Sequence, residues 1–234
     1  MTDLLFAPAV LHRRKFLAGL GVSAGALMLP SCTTGFGGFS VTDAIARLLY
    51  LSTGRAFDRM TAPGGFWDQQ VASLGFDEFL GARGGVLNRI LTSALFKDRL
   101  AHALAPIAFD AAERAAPVVA DTVRTIGLAN AVDLIRGGPR AASSFLRQEM
   151  GTALIDAMLP GVGNGLRLAN DPLVGQALAA LTGVDIPQVA RNFSSRVDDV
   201  IWNEIGNEEE AIRANPQATR DPLIIGAFGV GRAL

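Results

Sequence analysis

Val189, Phe193, Val197, Val200, Ile201 and Ile205 recur at the spacing of one helical face, with Arg191, Ser194, Ser195, Asp198 and Asp199 on the other. A period near 3.6 residues predicts a long amphipathic helix. It runs on through "EEEAIRANP" and should end at Asn215, because Pro216 disfavours helical backbone in the residue before it. Nearer the start, Ile45, Leu48, Leu49, Ala56 and Met60 form a second stripe. It lies behind Ser40 and Asp43, spaced as in a capping box. "APGGF" at 62–66 stops that helix. Val86, Leu87, Ile90, Leu91, Ala94 and Leu95 make a third stripe, with Asn88, Arg89 and Lys97 off it.

Prolines and glycines place the remaining boundaries. Pro106 and Pro117 suit the first turns of further helices better than helix interiors. "LIRGGPRAASSF" reads as a helix ended by Gly137 or Gly138 and another begun by Pro139. Asp171-Pro172 and Asp185-Ile186-Pro187 each read as an N-cap with proline close behind. No sustained period-2 run bounded by turns occurs, "PLIIGAF" being the nearest. The pattern predicts an all-α fold, a single-domain multi-helix bundle over residues 40–234.

The first 31 residues follow a different logic. A basic patch, His12 to Lys15, precedes an apolar run of thirteen residues from Leu17 to Leu29, softened by Gly19, Gly21 and Gly25. That run is short of the about 20 residues a membrane span needs. Basic, then apolar, then small residues before a cut is the layout of a cleavable export signal. Arg13, Arg14, Phe16 and Leu17 resemble the twin-arginine motif, with His12 and Ala18 departing from it. "LPSC" resembles a bacterial lipobox, with Cys32 as the residue to be acylated and Pro30 an unusual neighbour. Residues 1–31 are therefore expected to be a signal peptide and 32–39 a linker behind a lipidated cysteine. The alternative is an amphipathic first helix with one incidental cysteine. Each buried CH₂ of an attached chain adds about 0.8 kcal/mol of membrane affinity. Thr33, in place of an aspartate, favours the outer membrane.

Composition narrows the chemistry. Half the residues are apolar and 18% charged, too apolar for disorder. Removing residues 1–31, a net +2, would take the chain from −1 to −3, so no basic footprint for nucleic acid is present. Lys15 and Lys97 are the only lysines, leaving nineteen of 21 basic residues as arginine. Scattered as they are, the arginines suggest composition rather than bidentate anion recognition. Cys32 is the only cysteine, so no internal disulfide can form.

After Cys32 there is one histidine, His102, and one tyrosine, Tyr50, and thiolate or imidazole metal clusters are excluded. A Ser-His-Asp triad would need His102, which lies in a helical run without a nucleophile elbow; a structural or surface role suits it better. "GVGNG" at 161–165 lacks a phosphate loop's Lys-Ser/Thr ending and reads as a flexible break. Glu208, Glu209 and Glu210 with Asp198 and Asp199 read as a solvated face, Glu209 being placed to pair with Arg213. A calcium site is the alternative, but its loop signature is missing.

"GGPRAASSFLRQEM" and "NEEEAIRANPQATRDPLIIGAFG" resemble the bacterial family known as the DUF4197 domain, a domain of unknown function. Gly137, Gly138, Ala141, Ala142, Phe145 and Arg147 supply its Gly-Gly break, Ala-Ala pair and aromatic-x-Arg step. Glu209, Ala211, Ile212, Arg213, Asn215 and Pro216 supply a second segment, and Phe228-Gly229 a terminal Phe-Gly. Pro139 and Pro222 stand where the family has acidic residues. The resemblance implies an envelope-exported helical domain and no reaction. Within it, Arg213 and Asn215 are expected to satisfy backbone groups where the long helix stops, and Phe228 to dock the tail onto the bundle.

Together these features point to a lipid-anchored, non-catalytic helical module of the bacterial cell envelope, facing the periplasm and binding a protein or envelope component. The runner-up is a carrier of an apolar ligand. A third reading, an enzyme using carboxylates alone, requires a recessed Asp/Glu pair with perturbed acidity. No cofactor and no nucleic-acid partner are expected; the membrane is the partner through the N-terminal lipid.

Overall fold

A side-chain cap starts the first helix as the spacing predicts. Ser40 Oγ accepts from the Asp43 amide at 3.0 Å, and the Asp43 carboxylate accepts from the Ser40 amide at 3.2 Å. The helix it opens, α1, runs Val41–Met60 and buries Ile45, Leu48, Leu49, Ala56 and Met60. The computed structural model describes residues 40–63, 65–73, 93–128, 130–168 and 186–229. The chain divides into two units, Met1–Thr34 and Gly35–Leu234, and all of the first lies outside the described residues. Arg13, Arg14, Phe16, Leu17 and Cys32 are therefore outside them, as are Val86 to Leu91, Asp171, Pro172 and Asp185.

After α1 come α2 (Phe66–Ser73), α3 (Ala94–Thr125), α4 (Ala131–Arg136), α5 (Ala141–Met150), α6 (Ala153–Leu168) and α7 (Ile186–Ala214). A 3₁₀ turn (Pro216–Thr219) and α8 (Pro222–Phe228) complete the described chain. No strand occurs among the described residues, and "PLIIGAF" is α8. Asp221 caps it, accepting from the Leu223 and Ile224 amides. The fold is all-α. Helix α3 packs on α6, α1 on α7, α7 on α6, and α2 on α3. One hydrophobic core joins them, with Phe193, Val197, Ile201 and Ile205 of α7 almost wholly enclosed.

Four expectations are corrected. Pro106 and Pro117 do not start helices; both lie inside α3. Each removes one ladder bond, at about 3 kcal/mol or more in an isolated helix, and packing along a buried alanine-rich face offsets that. Ala94 and Leu95, the last two residues of the third stripe and the only two among the described residues, are exposed, and burial in α3 begins at Phe96. "GVGNG" is not a break but part of α6, where Gly165 lets the helix approach Ile107 of α3. Lastly, the polar side of α7 is not simply solvated: Ser194, Asp198, Glu204, Glu208 and Glu209 are all buried.

Candidate functional site

Helix ends leave backbone groups without intrahelical partners, and a tight turn between two short helices leaves both kinds close together. The turn joining α4 to α5 is of this sort, running Gly137–Gly138–Pro139–Arg140. Gly137 is the C-cap of α4, and a Cβ on it would lie 2.6 Å from that of Ala141, so only glycine fits the approach. Gly138 follows, its carbonyl accepting from the Ala141 amide at 3.1 Å.

Helix α7 supplies the caps. Glu209, with no exposed surface, accepts from the Ala142 amide at 2.9 Å, the Ser143 amide at 2.7 Å and Arg213 Nε at 2.8 Å. A negative charge there also opposes the positive end of the α5 dipole. Arg213 uses its other nitrogens on α4, donating from Nη1 to the Ile135 carbonyl at 3.1 Å and from Nη2 to Leu134 at 2.8 Å. Its guanidinium stacks 4.8 Å from the Phe228 ring centroid, fastening α8 to the same point. One i,i+4 pair thus caps the end of α4 and the start of α5.

Three other arginines, Arg59, Arg140 and Arg147, converge on α7 as well. Arg140 donates to Glu210 at 3.0 Å, Asn203 at 2.9 Å and Asn207 at 2.6 Å. Asn207 donates to Glu204, which also pairs with Arg59 of α1; Arg59 in turn holds Glu208. Arg147 bridges Asp198 at 2.8 Å and Asp199 at 2.5 Å, while Trp202 Nε1 donates to Asp198 at 2.9 Å. Burial raises the Asp198 carboxyl above its ordinary value, with Asp199 adding to the effect, and Arg147 and Trp202 only partly oppose it. Between α5 and α7, Arg140, Arg147, Asp199, Trp202 and Asn203 line a groove of about 320 Å³.

Of the residues singled out by the resemblance, Gly137, Gly138, Glu209, Arg213 and Phe228 meet at the α4–α5 turn. Arg147 is in the groove, and Phe145 packs against the core. Pro216 is buried at the first position of the 3₁₀ turn. Asn215 departs from expectation, because its side chain makes no cap; its backbone alone continues the ladder. The pattern missed Asp198, Glu204 and Glu208 as buried groups, and with them Arg59 and Arg140. Their signal was the spacing of polar residues along two faces of α7, with partners far away in sequence.

A second cavity, of about 330 Å³, opens between the end of α1, α2 and the first half of α3, with Trp67 and His102 in its lining. Among the described residues no group of three or more His, Cys, Asp or Glu is placed to hold a metal ion, and no helix is long and apolar enough to cross a membrane.

Fold and site together define an all-helical bundle in which Glu209 and Arg213 of α7 clamp the turn between α4 and α5. The chain belongs to the family described as "Protein of unknown function (DUF4197)", which matches residues 36–229. No curated protein and no solved structure matches it.

Proposed function

We propose that the chain is an exported, lipid-anchored module of the bacterial cell envelope, held through Cys32 and facing the periplasm, which binds a partner rather than transforming a substrate. The observation that carries the second half is the fate of the recessed carboxylates. Asp198, Glu204, Glu208 and Glu209 are recessed, as a carboxylate enzyme would require, yet each is already held by an arginine. Glu209 accepts two backbone amides as well. A general acid or base needs a lone pair or proton facing its substrate. These groups face the protein.

The first half rests on the order of basic patch, apolar run and sole cysteine in residues 13–32. Intact mass and membrane fractionation of wild type beside Cys32→Ala test it. The expected wild-type product begins at Cys32, carries a diacylglyceryl group and sediments with membranes; the Cys32→Ala product does none of the three. A wild-type chain beginning at Met1 with a free thiol overturns the proposal. The alternative of an apolar-ligand carrier draws support from the cavity beside α2, whose lining includes Phe66, Trp67 and Phe109.

A further inference from the structure

Helix α8 is apolar on every side, yet it is not enclosed. Residues 222–231 carry no charge. Within the helix only Ile224 is buried; Pro222 is exposed, and Leu223, Ile225, Ala227 and Phe228 are partly so. A surface helix ordinarily turns polar residues outward, and one that is apolar all round belongs in a core or in lipid. At seven residues α8 is far too short to span a bilayer.

Its place in the fold decides between the two. Helix α8 packs on α1, and Arg47 Nε donates to its capping Asp221 at 2.6 Å. Arg47 stands seven residues, about 10 Å of helix, from Ser40. Ser40 stands eight residues from Cys32, a reach of at most about 28 Å. Helix α8 is therefore at the end of α1 that a tether from Cys32 must join. The side chains beside it suit a membrane surface. The Arg47 guanidinium lies 5.5 Å from the Tyr50 ring centroid, and Tyr50 is 56% exposed. Arg220, also exposed, precedes the cap, and Arg232 follows the uncharged run in the sequence. Arginine and tyrosine lay an apolar body along lipid while keeping a polar end in the headgroups.

We propose that α8 and Tyr50 seat against the surface of the bilayer that holds the lipid anchor. The partly exposed side chains of α8 enter the boundary between headgroups and acyl chains, and Arg220 meets the lipid phosphates. This deepens the anchored-module reading and rests on it, adding which face of the domain is turned to the membrane.

The test uses the lipidated protein, purified from membranes and reconstituted into vesicles of phosphatidylethanolamine and phosphatidylglycerol. Cys32 is the only cysteine, so once it is acylated an engineered cysteine alone takes a thiol-reactive nitrobenzoxadiazole dye. On Ile225→Cys the dye is expected about 5–10 Å into the headgroup–acyl boundary, where nitroxide-labelled acyl chains quench it. Should that variant fail to fold, the exposed Tyr50→Cys carries the dye instead. On His102→Cys the dye should stay unquenched. His102 lines the cavity with Met60, at the other end of α1 and about 30 Å along it from Ser40. A dye at position 225 or 50 that lipid nitroxides do not quench overturns the proposal, even where it is shielded from water, since a protein then covers α8. Equal quenching at His102→Cys overturns it too. Intact mass of the same sample reports the anchor separately: a lipidated chain with an unquenched dye leaves the anchor standing, whereas an unmodified Cys32 removes the anchor and this seating together.

Discussion

Asp198 and Asp221 are both aspartates paired with an arginine, and their surroundings drive them in opposite directions. At Asp221 burial is outweighed by the Arg47 hydrogen bond and charge and by the Ile224 and Leu223 amides, so its carboxyl lies below its ordinary value. At Asp198 burial wins, and the carboxyl lies above. An unfolded aspartate titrates near pH 4, so the two contribute to stability with opposite signs. The Asp221 contribution is complete above that value and is lost as pH falls through its lower folded value. The Asp198 charge instead costs stability at neutral pH, a cost relieved as the group protonates. Denaturant unfolding of Asp221→Asn should therefore approach wild type as pH falls from about 6 to 3. Asp198→Asn should lose ground to wild type over the same interval. Parallel pH profiles for the two variants would contradict this assignment.

At the scale of elements, α6 shows how a glycine-rich run can serve a helix. A Cβ at Gly165 would sit 2.9 Å from Ile107 Cγ1, whereas one at Gly163 would meet nothing within 4 Å. Gly163→Ala should stabilise the protein by up to about 1 kcal/mol through helix propensity. Gly165→Ala should destabilise it by about 1–3 kcal/mol through overpacking against α3. Thermal unfolding of the pair checks both signs, and a stabilising Gly165→Ala would show that α6 and α3 are not so close. This explains why "GVGNG" misleads a reading of sequence alone, since glycine signals both breaks and close approach. The Ser40 cap, the α1 stripe, the apolar face of α7 and the stop before Pro216 were legible because each depends on neighbours within a turn or two. Pro106 and Pro117 were not, because what carries α3 through them is packing from other helices. Nor was the cavity, whose lining comes from three elements that only the fold brings together.

In the whole molecule, nineteen arginines scattered through the sequence look like a compositional habit. The fold gives Arg59, Arg140, Arg147 and Arg213 a shared purpose, since all four bind α7 carboxylates. Burying such charges gives no guarantee of stability, but removing one partner leaves the other uncompensated at about 3–5 kcal/mol. The α4–α5 turn and the end of α7 meet at Glu209 and Arg213, and there they hold helices together. The central claim is that this clamp makes the bundle one cooperative unit on which a binding surface can be held. The most direct test is equilibrium denaturant unfolding of Glu209→Gln, followed by tryptophan fluorescence and far-ultraviolet circular dichroism together. The prediction is one transition, coincident by both probes and weaker than wild type by about 3–5 kcal/mol. A wild-type midpoint, or two separated transitions with α4 and α5 loosening alone, would contradict it.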